Sequence, residues 1–122
     1  LTVDERLHYV KQDGRTVFKH AVTRMTEVLV QLLDQNGMTN EQIALFVPHQ
    51  ANKRIVDACA KRLGMDDSRV MLTLDRWANT TAGTIPTTFD LAVEDGRLKK
   101  GDFVVLATFG AGFTWGASLI RW

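Results

Sequence analysis

Two separate stretches of this sequence each present a side chain that can donate a hydrogen bond to a carbonyl oxygen. Phe46-Val47-Pro48-His49-Gln50-Ala51-Asn52 and Trp77-Ala78-Asn79-Thr80-Thr81-Ala82-Gly83 both pass from apolar residues to a polar one. Proline or a small residue stands just before it, and a helix-forming segment follows. A sheet delivers side chains in this way to a site at the carboxyl ends of its strands. A neutral His49 imidazole and the Asn79 amide could together stabilise charge that develops on a carbonyl oxygen. Proline restricts the residue before it to extended backbone, and a helix start just after His49 would lower its tendency to protonate. Each residue also has a plainer reading. His49 could cap or pack, and Asn79 before Thr80-Thr81 could be a helix N-cap.

Three other features invite chemistry. Gly110-Ala111-Gly112-Phe113-Thr114-Trp115-Gly116 lacks dinucleotide glycine spacing, and a strand rather than a helix follows, so a nucleotide loop is rejected. It is either a hairpin turn or a loop whose bare backbone amides face a ligand oxygen. Cys59 shares an apolar helix face with Ile55 and Leu63, where a thiol behaves as a small hydrophobe with raised pKa. Arg54, Lys61 and Arg62 come round to the opposite face, beside Lys53. That strip is either a solvated surface or a docking strip for an acidic partner or a phosphate.

The elements that would position these groups alternate between helix and strand. His8 to Lys11 reads as a short polar strand, and Asp13-Gly14-Arg15 as a turn. The apolar spacing from Phe18 to Leu33 predicts a helix that Gly37 ends. Thr39-Asn40-Glu41 predicts a helical turn before a strand from Ile43 to Val47, and then a helix from Gln50 to Leu63 stopped by Gly64. Arg69 to Leu74 reads as a strand. After Asn79 a helix runs to Glu94, with Pro86 tolerated only in its first turn. Asp102 to Phe109 has the continuous apolar character of a buried strand, and Phe113 to Trp122 forms the last one. This order predicts an α/β domain whose mixed sheet carries helices on both faces.

At 122 residues and 45% hydrophobic, the chain can form one compact domain, residues 1–122, with a real core. A net charge of +1 supplies no bulk field for nucleic acid or membrane, so a basic partner surface must be local. No apolar run approaches the roughly 18 residues that span a bilayer. The single cysteine excludes an internal disulfide and fits a reducing, cytoplasmic setting. The start on Leu1, with no turn signal or targeting pattern, reads as an internal cut in a longer protein.

Val17-Phe18-Lys19, the Phe46 to Ile55 stretch, Asn79-Thr80-Thr81-Ala82 and the Phe109 to Trp122 segment together resemble the β-ketoacyl-acyl carrier protein synthase III family. The resemblance covers nearly the whole chain, with the motifs in the family's order. It implies the carboxyl-terminal half of a thiolase fold, with a mixed sheet of the five-stranded type. The implied activity is decarboxylative condensation of an acyl-coenzyme A primer with malonyl-acyl carrier protein, the start of bacterial fatty-acid chains, with no cofactor and no metal. His49 and Asn79 take the roles of donors to the malonyl thioester oxygen. Phe109 resembles the aromatic residue beside the leaving carboxylate, the Ala111 amide one that completes an oxyanion hole, and Asn52 a residue lining the site. Arg54, Lys61 and Arg62 match a helix that docks the acidic carrier protein. Ala78 and Ala111 replace family glycines.

The family's nucleophilic cysteine has no counterpart here, since Cys59 does not match it. The implied partners are therefore acyl carrier protein, an amino-terminal half and a second copy in a homodimer, and the chain alone is expected to be inactive and to self-associate. Two alternatives stay open: half of a related condensing enzyme that makes quinolones or polyketide starters, or a carrier-protein docking module without catalysis.

Overall fold

The computed structural model describes residues 3–122. Asp13 starts the first helix, α1 (Gly14–Gln35), as an N-cap: its Oδ1 accepts from the Arg15 and Thr16 amides at 3.0 and 3.3 Å, and its Oδ2 from the Thr16 hydroxyl at 2.7 Å. Ala21, Val22, Met25, Leu29 and Leu33 form its buried face. The second helix, α2 (Lys53–Leu63), buries Ile55, Val56, Cys59, Ala60 and Leu63, and Gly64 ends it at φ 65°, a left-handed conformation that costs glycine little. A short helix α3 (Leu74–Trp77) and a longer one, α4 (Thr84–Glu94), complete the set, with Pro86 in the first turn of α4.

The sheet has three strands among the described residues: β1 (Ile43–Pro48), β2 (Phe103–Gly110) and β3 (Thr114–Arg121), in that order. β1 and β2 run parallel, and β2 and β3 antiparallel. In β1 the register slips between Ile43 and Leu45, leaving Ala44 as an extra residue. That bulge reverses the alternation. Ile43 and Phe46 face α1 and α2 with Val105, Ala107 and Phe109, while Leu45 and Val47 face the α4 side with Val104, Met71 and Ala92. Helices thus cover both faces of a mixed sheet. Fully buried side chains such as Phe46, Leu29 and Leu45 each contribute roughly 1.5–3 kcal/mol from burial.

Several boundaries differ from the sequence reading. Residues 8–11 form no strand; they are exposed and irregular. The sheet holds three strands rather than the five-stranded type, because residues 69–74 contribute only an isolated parallel bridge, Phe46 to Val70, before α3 begins. The helix expected from Gln50 starts at Lys53, and the one expected just after Asn79 starts at Thr84, after a 3-10 turn at Thr81–Gly83.

Candidate functional site

Because β1 and β2 are parallel, Pro48 and Gly110 end at the same edge of the sheet. The His49 amide extends the pairing by one residue, donating to the Ala107 carbonyl at 2.8 Å. A cavity of about 650 Å³ opens at this edge. His49, Asn79, Phe109 and Ala111 all line it, together with Thr81 and Phe113. The tertiary structure therefore gathers four of the expected site residues around one space.

His49 is half-buried, and that burial alone holds its pKa below the usual 6.5. The sequence reading assigned the lowering to a helix start, yet α2 begins only at Lys53, and desolvation is the cause. Nδ1 of the ring lies 2.5 Å from the Thr84 hydroxyl. His49 caps nothing, since the N-cap of α2 is Asn52.

Asn79 sits in the exposed loop between α3 and the 3-10 turn. Its Oδ1 accepts from the Thr81 amide at 2.9 Å, which fixes the carboxamide and leaves its NH₂ as the remaining donor group. Asn79 is not the helix N-cap that the sequence also allowed: Thr80 precedes the 3-10 turn and Gly83 precedes α4, so its bond to Thr81 braces the loop and leaves the donor end of the amide available. The residue before it, Ala78, has φ 54° and ψ −155°.

Phe109 is buried, and its ring packs at 4.9 Å on Phe113, which in turn meets His20 at 5.3 Å. Thr114 closes the β2–β3 turn by donating from its hydroxyl to the Ala111 carbonyl at 3.1 Å. A Cβ on Gly112 would lie 2.9 Å from Thr114 Cγ2 and 3.0 Å from its amide nitrogen, at φ +142°, so this turn requires glycine. Ala111 does not share that constraint, because its φ is not positive.

Asn52 spends its Oδ1 on the Arg54 amide at 2.9 Å as the α2 cap, and lines a second cavity of about 590 Å³ together with Arg54, Arg15 and Asn79. Arg54 also lies 5.6 Å above the Phe18 ring. Lys61 and Arg62 are exposed further along the helix, and Arg62 donates to the Thr23 hydroxyl at 3.3 Å. Cys59 is fully buried, and burial pushes its thiol up to about 12, too high to supply a thiolate. Among the described residues no group of three or more His, Cys, Asp or Glu is placed to hold a metal ion, and no helix is long and apolar enough to cross a membrane.

Sequence reasoning did not find Thr84. It lies 35 residues from His49 and carries no local signal beyond a hydroxyl at a helix start.

A family model described as "3-Oxoacyl-[acyl-carrier-protein (ACP)] synthase III C terminal" matches residues 33–122. The beta-ketoacyl-[acyl-carrier-protein] synthase III of Solibacter usitatus is 53% identical over 121 residues, which is 99% of this chain and 37% of that protein. The enzyme of the same name from Chlorobium luteolum is 48% identical over the same shares. The crystal structure of the Thermus thermophilus synthase III superposes with a TM-score of 0.89 at 46% identity, covering 92% of this chain and 35% of that one. The chain thus spans about 37% of the length of the curated relatives it matches, and its fold is thiolase-like α/β. With the family model covering most of its length, the chain belongs to the 3-oxoacyl-acyl carrier protein synthase III family, in the C-terminal region which that model describes.

Proposed function

We propose that residues 1–122 act as the carboxyl-terminal catalytic domain of a condensing enzyme that joins an acyl-coenzyme A primer to malonyl-acyl carrier protein. The observation that carries this reading is the shared cavity, into which a neutral imidazole and a fixed carboxamide bring two donors. In the proposed step the malonyl carbon–carboxylate bond breaks and its electron pair passes to the thioester oxygen. His49 and Asn79 hold that oxygen as charge builds, with no reorganisation needed in the transition state. The resulting carbon nucleophile attacks an acyl group held on a cysteine, and the thiolate leaves. Phe109 offers the departing carboxylate an apolar wall, where loss of charge is favoured. The Ala111 amide serves the acyl-transfer oxyanion, and Asn52 borders the substrate arm. Every step is heterolytic, so the proposed reaction calls for no redox cofactor.

The nucleophile belongs to an amino-terminal half, since Cys59 is buried with its thiol protonated. That half would also cover the apolar groove formed by Ile85, Phe89, Leu106, Ile120 and Trp122. Acyl carrier protein would dock on Arg54, Lys61 and Arg62, and the assembly would work as a cytoplasmic homodimer. To test the reading, malonyl decarboxylation and condensation are assayed with the amino-terminal half supplied. His49→Ala and Asn79→Ala should each lower kcat by about 10²–10³-fold, the loss typical of one oxyanion donor. Full activity in either variant would sink it. The chain alone should show no acyl transfer.

A further inference from the structure

The geometry points to Thr84 as a positioning residue that selects the His49 tautomer: its hydroxyl donates to Nδ1, so that the ring proton sits on Nε2. The inference rests on the proposed role of His49 as a donor to the thioester oxygen. Thr84 is 2% exposed, and its hydroxyl has two partners among the described residues. The Gln50 amide N–H donates to Oγ1 at 3.2 Å and occupies one lone pair. His49 Nδ1 lies 2.5 Å away on the other side. A backbone N–H can only donate, so the hydroxyl proton has one place to go, and that is Nδ1. The usual alternative for a helical threonine, back-bonding to a carbonyl of the preceding turn, is not used here. The Thr80 and Thr81 carbonyls accept instead from the amides of Gly83 and Thr84.

A neutral imidazole that accepts at Nδ1 must carry its proton at Nε2. Nε2 makes no hydrogen bond among the described residues, and the ring lines the cavity beside Asn79. The opposite tautomer would leave the buried Thr84 proton without an acceptor, and it would present the thioester oxygen with a lone pair instead of a donor. Threonine suits this task better than serine, because its β-branch restricts χ1 and aims the hydroxyl. Placing it as the first residue of α4 couples that helix to the end of β1.

The test uses long-range ¹H–¹⁵N spectra of the chain paired with the amino-terminal half, the His49 signals being assigned by their loss in His49→Gln. The wild type should show protonated Nε2 and acceptor Nδ1. Thr84→Ser should keep that tautomer. Thr84→Val, which matches threonine in shape, should lose the preference and lower kcat about twofold with KM little changed, since a ring split between the two tautomers presents the donor in about half of the molecules. A wild-type spectrum with the proton on Nδ1 overturns the proposal without reference to any variant, and so does a Thr84→Val spectrum identical to the wild type. Loss of the tautomer preference in Thr84→Val with unchanged kcat, together with full activity of His49→Ala, would leave the tautomer assignment standing and overturn the catalytic reading on which its purpose rests.

Discussion

The carboxamide of Gln50 takes the place of a β-ladder between Pro48 and the segment that ends at Thr73. The Met71 amide pairs with the Phe46 carbonyl at 2.9 Å, as the start of a parallel ladder should. The next rung would need an N–H from residue 48 to reach the Met71 carbonyl, and proline has none. Gln50 Nε2 donates instead to the Met71 carbonyl at 3.2 Å and to the Pro48 carbonyl at 2.9 Å, while its Oε1 accepts from the Thr73 amide at 2.9 Å. Gln50 is fully buried, and it sits next to His49. Replacing it with leucine would strand the buried Thr73 amide and two carbonyls. The expected destabilisation is about 2–4 kcal/mol, read as a lower denaturation midpoint. A change below about 0.5 kcal/mol, within the range of a neutral surface substitution, would show that water replaces the amide.

Ala78 occupies a backbone conformation that favours glycine, with φ 54° and ψ −155°. Strain of this kind costs about 1–3 kcal/mol, whereas the extra freedom glycine gives the unfolded chain costs about 0.4–1 kcal/mol. The strain is the larger effect, so Ala78→Gly should raise the melting temperature. Thermal unfolding decides it, and a lower Tm would mean that the turn is not strained.

The lowered pKa of His49 sets a pH window. The unfolded chain takes up this proton near 6.5, and the folded chain only below that. Between the two values the unfolded state binds more protons, so stability falls as pH falls. Above 6.5 both states are neutral and the contribution is flat. Denaturant unfolding of wild type and His49→Gln from pH 7.5 downward should show a steeper loss for the wild type once the pH passes below 6.5. The acid limb of condensation should likewise lie below 6.5. Parallel stability curves for the two proteins would contradict this.

The docking strip makes an electrostatic prediction. Arg54 borders the outer cavity, whereas Lys61 lies about 10 Å further along the helix axis. Arg54→Glu and Lys61→Glu should each weaken the affinity for acyl carrier protein roughly two- to tenfold at low salt. The difference should vanish at 1 M salt, where the screening length is about 3 Å. Titration of labelled carrier protein measures it. Equal affinity in all three proteins at low salt would rule the strip out.

What the sequence determined by itself was whatever depends on residues three or four apart, or on a strand's own composition. The apolar faces of α1 and α2, the stop at Gly64, the apolar run of β2 and the turn at Gly110-Ala111-Gly112 were all legible, because neighbours along the chain create them. The order of the motifs also suggested bringing His49 and Asn79 to one site, and both line the same cavity. The strand expected at residues 69–74 was not reliable, because a ladder needs a partner with free N–H groups, and Pro48 removes the one that would continue it. The bond between His49 and Thr84 was invisible for a similar reason. Its partners lie 35 residues apart and meet only when the α4 side of the sheet closes on the end of β1. Tertiary structure also decided why His49 is neutral, since desolvation is a property of the packed neighbourhood and not of the helix that follows it.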